Sequence, residues 1–270
     1  MILTPHLGIG DLLIVKMKQI SNNLDIDYIN INKDLILKYC ENYEIKINFT
    51  INLIKLLFPN TKYYVNNKSI NFHIFNNYSI NKTYIYNCIN NNLINVKNQY
   101  SDYIVFHTKM RHDNLMDKFN NEMLSKLNFF FENLKTSKKI LILGERNIGQ
   151  NLETKMHNTI SLYNNLLLLN KNNDVIDLTN DVLTCGNPNF NKFLLEIEII
   201  NKSLCNITFG IGGPFNICKA FSKNNVSFIP FYYLSPFKKI LDEFNTLDDT
   251  IAQNIEELNN RIFKFTRESL

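Results

Sequence analysis

The chain has 270 residues, 45% of them hydrophobic and 20% charged, with a formal net charge of +4. That is enough to bury a sizeable core as one large or two small domains, and the composition is that of an ordinary soluble globular protein, with nothing that argues for disorder. Lys and Arg are scattered rather than clustered, so electrostatics predict no nucleic-acid partner, while an anionic small substrate fits. The five cysteines (Cys40, Cys88, Cys185, Cys205 and Cys218) form no C-x-x-C pair and are odd in number. This disfavours a disulfide framework and a zinc site, and points to a reducing, cytoplasmic compartment. The opening residues show no basic-then-apolar leader, and no apolar run approaches the length of a membrane span, so neither export nor insertion is expected. Asn, Ile and Lys are over-used, and Asn-x-Ser/Thr triplets such as those at Asn48 and Asn201 are read as products of that bias.

Taken in order, Met1 to Pro5 is an apolar start, followed by His6, Gly8, Gly10 and Asp11 and then by the apolar run Leu12 to Val15. This pattern predicts a strand, a glycine turn and a helix, the opening unit of an α/β sheet. A second strand is expected at Ile26 to Ile31, with helices near Lys33 to Tyr39 and Asn48 to Phe58, the latter stopped by Pro59. Shorter β-like pieces follow at Tyr63 to Val65, Ile70 to Phe75 and Thr83 to Tyr86.

From about Tyr100 the alternation becomes regular. Strands are predicted at Tyr103 to Phe106, Ile140 to Leu143, Val175 to Leu178, Cys205 to Phe209 and Val226 to Ile229. Helical spacing links Leu124, Leu127, Phe131 and Leu134, and again Phe190, Phe193, Leu194, Ile197 and Ile200. Strands alternating with helices imply a parallel, doubly wound sheet whose ligands lie beyond the carboxyl ends of the strands. A last helix is expected from about Asp248, with Thr250 and Gln253 as a capping box and Ile251, Ile255, Leu258, Ile262 and Phe265 on one face. The pattern divides the chain into residues 1–100, residues 101–245, and a C-terminal helix, 246–270, expected to pack back toward the first domain.

The stretch Cys205 to Phe221 carries the strongest chemical signal. A buried strand runs into Gly210, Gly212 and Gly213, and Pro214 opens a helix. Helix N-termini carry unpaired donors and a positive dipole, so the loop suits a phosphate; a tight packing turn is the bland alternative.

With both glycine loops placed, the chain resembles the GT-B glycosyltransferases, specifically the heptosyltransferase-like family (glycosyltransferase family 9-like). Gly10-Asp11 matches that family's opening Gly-Asp turn, and Gly213-Pro214 with Ala220 matches its second-half loop and helix. Lys109, Glu145 and Asp177-Leu178-Thr179 occupy the places of its basic loop, its acidic residue and its Asp-Leu-Thr turn. The family usually has Asp-Thr-Gly-Pro and then His two residues later; this chain has Ile211-Gly212-Gly213-Pro214 and then Asn216. The first half is short for the family. The resemblance implies two Rossmann-like doubly wound domains facing across a cleft, the N-terminal one reduced. It implies a metal-independent, inverting transfer of a sugar from a nucleotide-diphosphate sugar to a hydroxyl of a glycan or glycoconjugate, with no further cofactor.

On that reading Asp11 is the candidate base, with His6 the second choice; a helix-capping Asp is the alternative. Lys109 and Arg111 would offset diphosphate charge, or else are solvated cations. Glu145, with Glu153 as an alternative, would take ribose hydroxyls, or is a surface carboxylate. Gly210, Gly212, Gly213, Pro214 and Asn216 complete the donor side, and Gly8, Gly10 and His107 the acceptor side. His6, His107 and His112 come from different strand ends without paired ligand spacing, so no metal is expected. Two other readings remain: an epimerase or pyruvyl transferase on the same plan, and a non-catalytic nucleotide-sugar or glycan-binding module.

Overall fold

The computed structural model describes residues 2–3, 8–34, 43–67, 78–89, 98–108, 117–144, 162–179, 189–210, 212–230, 241–242, 244 and 250–266. The chain opens with β1 (Ile2–Leu3), α1 (Ile9–Asn22), β2 (Tyr28–Asn32), α2 (Tyr43–Leu57) and β3 (Lys62–Asn66). The three strands form a parallel sheet in the order β1-β2-β3. α2 is already helical at Tyr43, five residues before the expected Asn48, and it ends as predicted, with the Phe58 N–H donating to Ile54 O just ahead of Pro59.

The second half contributes β4 (Tyr103–His107), α3 (Asp117–Asn133), β5 (Lys139–Leu143), a single turn α4 (Tyr163–Leu166) and β6 (Val175–Asp177). There follow α5 (Phe190–Lys202), β7 (Cys205–Phe209), α6 (Gly213–Phe221), β8 (Asn225–Phe228), β9 (Ile251–Ala252) and α7 (Ile255–Thr266). All six strands are parallel and lie in the order β6-β5-β4-β7-β8-β9. Counted from β4 this is the 3-2-1-4-5-6 order of Rossmann-like sheets, and the direction of winding reverses between β4 and β7. The expected α/β class with a parallel, doubly wound sheet is therefore present.

Alternate residues of the central strands face opposite layers, as the pleat requires. On one face Ile104, Phe106, Ile140, Ile142, Ile207 and Phe209 meet α3, α4 and α7. The other face meets α5 and α6, and here the core does not stop at the second half. Leu12, Val15, Leu53 and Ile54 of α1 and α2 belong to one apolar cluster with Phe193, Ile197, Phe215 and Ile217 of α5 and α6. Phe49 packs edge-on against Phe193, with ring centroids 5.6 Å apart.

Three expectations need correction. Among the described residues the C-terminal helix packs on the second sheet rather than on the first domain: Leu258 and Ile262 lie in that sheet's own cluster, on the side of α3. Nor does it start at Asp248, because Ile251 and Ala252 extend the sheet beside Ser227 and Phe228. The helix begins instead at Asn254, whose Oδ1 accepts from the Glu257 N–H at 2.9 Å while Glu257 accepts from the Gln253 N–H at 2.8 Å. The β-like piece at Thr83 to Tyr86 is also not a strand. Its Ile85 N–H donates to Ala220 O at 2.8 Å, and a 3₁₀ turn begins at Tyr86. The predicted pieces Lys33 to Tyr39, beyond its first two residues, and Ile70 to Phe75 lie outside the described residues.

Candidate functional site

β7 is buried along its whole length, and its carboxyl end opens at the reversal point of the sheet. Gly210 follows at φ +68, a left-handed backbone that favours glycine, and its N–H donates to Phe228 O at 2.9 Å. Gly212 is the N-cap of α6 in extended conformation, and Pro214 is the second helical residue rather than the first. Bonding within the helix begins with the Asn216 N–H donating to Gly212 O at 3.2 Å. The preceding N–H of Gly213 therefore belongs to the helix's unsatisfied positive end. Among the described residues, a Cβ added at Gly210 or at Gly213 would meet nothing within 4 Å.

The glycines of α1 are different. Gly8 is the N-cap, and the N–H groups of Asp11 and Leu12 donate to its carbonyl. Asp11 is thus the third helical residue, where an acid complements the dipole, and not the N-cap. Its carboxylate lies against Gly8: a Cβ there would stand 2.9 Å from Asp11 Oδ2. Gly10 faces across to the second half, and a Cβ there would stand 2.7 Å from Asn216 Nδ2. The first turns of α1 and α6 therefore touch, and two positive helix ends converge above the sheet's carboxyl edge.

Below them lies a buried polar floor. Asn206 on β7 donates through Nδ2 toward Ile200 O, Ser203 Oγ and Ser222 Oγ at 2.8–2.9 Å, which leaves its Oδ1 to accept from His107 Nε2 at 3.3 Å. That orientation assigns the ring proton to Nε2. Burial pushes His107 down to about 4, opposed by the bond to Asn206, so the ring is neutral. Cys218 Sγ lies 3.2 Å from the same nitrogen, and burial first, then Glu196, pushes its thiol well up. His107 was expected on the acceptor side. At 1% exposure it sits beneath the surface and ties β4 to β7 and α6.

Next to it, Thr108 donates its N–H to Leu143 O at 2.9 Å, and Gly144 at φ +112 passes so close that a Cβ would stand 2.4 Å from Thr108 Oγ1. Asp177 at the end of β6 is engaged by its own surroundings. Tyr163 donates to its Oδ2 at 2.7 Å, and the Thr179 N–H donates to its Oδ1 at 2.9 Å. Sequence reasoning missed Asn206, Thr108 and Gly144. For Asn206 the available signal was an amide in the middle of a strand predicted to be buried.

The structure brings together Gly8, Gly10, Asp11, Gly212, Gly213, Pro214 and Asn216, with Gly210 on one side and His107 below. His6, Lys109, Arg111, Glu145, Ile211 and Glu153 lie outside the described residues. Among the described residues no three His, Cys, Asp or Glu side chains gather as a metal site, and no helix is long and apolar enough to cross a membrane. Comparison with protein-family models, with curated proteins and with solved structures finds no match.

Proposed function

We propose that the chain is a cytoplasmic, inverting glycosyltransferase of the GT-B, heptosyltransferase-like kind, moving a sugar from a nucleotide-diphosphate sugar to a hydroxyl of a glycan or glycoconjugate. The observation that carries this reading is the space beside Gly210 and Gly213 at the N-terminus of α6, open among the described residues, where the winding of the sheet reverses. A diphosphate there would accept from the Gly213 N–H and gain from the dipole of α6. Lys109 and Arg111, which follow β4, would add charge-assisted bonds, and Glu145, which follows β5, would take ribose hydroxyls. In this reading the three-stranded unit is a reduced acceptor-side domain facing the donor domain.

The reaction would be a single displacement. Asp11 takes the proton of the acceptor hydroxyl, the oxygen attacks the anomeric carbon, and the bond from that carbon to the diphosphate oxygen breaks. The negative charge growing on the leaving diphosphate is met by the end of α6. His6 is the substitute base if Asp11 serves only its helix. By the resemblance, no metal and no further cofactor enter the step.

A second reading is a nucleotide-sugar or glycan-binding module without catalysis. Asp11 favours it, because its carboxylate rests against Gly8 at the third helical position, the place of a capping acid. A transfer and donor-hydrolysis assay with a panel of nucleotide sugars separates the two. Turnover supports the enzyme, whereas saturable binding without turnover supports the module.

A further inference from the structure

α1 and α6 run side by side in the same direction and are held together at both ends. At the tail, Ser21 Oγ accepts from the N–H groups of Asn81 and Lys82 at 3.0 and 2.9 Å, and Asn22 Nδ2 donates to Ser79 O at 2.9 Å. The same short segment reaches α6 through the Ile85 N–H and Ala220 O, and reaches α5 through Tyr84, which donates to Asn201 Oδ1 at 2.7 Å. At the head the contact is Gly10 against Asn216. Parallel neighbouring helices place like dipole ends together, so this pairing is held against a small electrostatic cost.

Glycine within a helix normally lowers stability relative to alanine, so its presence at Gly10 calls for a reason. A side chain there would have to displace the Asn216 amide. That amide ends a short side chain, so the way to relieve the collision is for Asn216 to leave its position. We infer that Asn216 is a positioning residue, seated on Gly10, through which the first half of the chain fixes the first turn of α6 and its N-cap Gly212. The inference rests on the donor-loop reading only for its consequence in ligand binding; the joint itself stands on the contact between the two helices.

The test is a double-mutant cycle in the full chain. Gly10→Ala should lower the midpoint of thermal unfolding in the wild-type background. It should raise the midpoint in an Asn216→Ala background, where only the gain in helix propensity remains. The same sign in both backgrounds overturns the joint. Calorimetric titration with uridine, adenosine and guanosine diphosphates reads the consequence. For the nucleotide that binds, Gly10→Ala and Asn216→Ala should each weaken affinity by about tenfold, and the double variant no further, as for two changes acting through one contact. Additive losses, or a Gly10→Ala variant with wild-type affinity, overturn the positioning role. If the wild type binds none of the three, the donor-loop reading and the positioning role fall together, while the change of sign in stability still decides the joint.

Discussion

Lys219, in the middle of α6, donates its amine to Thr250 Oγ1 at the start of β9, which places a lysine nitrogen inside the protein. Burial pushes its pKa from 10.5 down to about 7; Cys218 opposes the shift and Arg261 adds to it. The Phe215 ring lies 5.6 Å from the nitrogen. Between pH 7 and 10.5 the unfolded chain holds a proton that the folded chain has released, so stability rises with pH across that window. Below it both states are protonated and this contribution is flat. Urea titrations should show the rise in the wild type and its loss in Lys219→Met, with the variant the more stable of the two near pH 7. A rise that survives in the variant would place its source in another group.

Tyr86 donates to Glu198 Oε1, and Glu198 is 2% exposed. Burial first, then the carboxylate, raises the Tyr86 pKa, so the phenol stays protonated as donor. Tyr86→Phe would leave a buried carboxylate oxygen short of a donor and should reduce stability by about 1–3 kcal/mol. Equal urea midpoints for wild type and variant would show that the bond contributes nothing net.

Gly210 and Gly213 separate backbone strain from ligand space. Gly210→Ala puts a Cβ on a residue at φ +68 and should reduce stability by about 1 kcal/mol whatever the ligand does. Gly213→Ala meets open space on a helical backbone and should leave stability unchanged or slightly raised. Its methyl group would enter the proposed phosphate site, so binding should weaken in Gly213→Ala despite its intact fold. A Gly213→Ala variant that loses stability would contradict the open surroundings of this residue.

Much of the second sheet is legible in the sequence because its strands, buried on both faces, read as short continuous apolar runs such as Ile140 to Leu143 and Tyr103 to Phe106. β9 is not legible, since two residues set no period and Ile251 and Ala252 acquire their role only by pairing with Ser227 and Phe228. The start of α7 was misread for the same reason: Thr250 and Gln253 have cap-like spacing, but sheet pairing claims the residues between them and the cap moves to Asn254. The side on which α7 packs was beyond reach, because an apolar stripe states that a helix needs a surface and not which one. Gly10 read as part of a ligand turn. Gly10 also lies against Asn216, more than two hundred positions away, a contact that no local pattern encodes.

Asp11 distinguishes catalysis from helix capping. Asp11→Asn keeps the size of the side chain and forfeits its charge at the third helical position, so stability should fall by less than about 1 kcal/mol. If Asp11 is the base, transfer should fall by about 10²- to 10⁴-fold with donor affinity nearly unchanged. Wild-type transfer in the variant would assign the proton to another group, with His6 tested next.

Lys109 and Arg111 follow β4 in the sequence. Replacing either with Ala should weaken nucleoside-diphosphate binding by about 1.5–3 kcal/mol, the range for hydrogen bonds to charged groups, and added salt should weaken the wild type in the same direction. Unaltered affinity in both variants would mark them as solvated cations.

The most direct measurement is calorimetric titration of uridine, adenosine and guanosine diphosphates into the wild-type chain and into Gly213→Val, with folding checked by thermal unfolding. The account predicts saturable binding of at least one nucleotide by the wild type and none by the folded variant, whose side chain fills the space beside the end of α6. Equal binding by the two proteins, or no binding by the wild type, would contradict it.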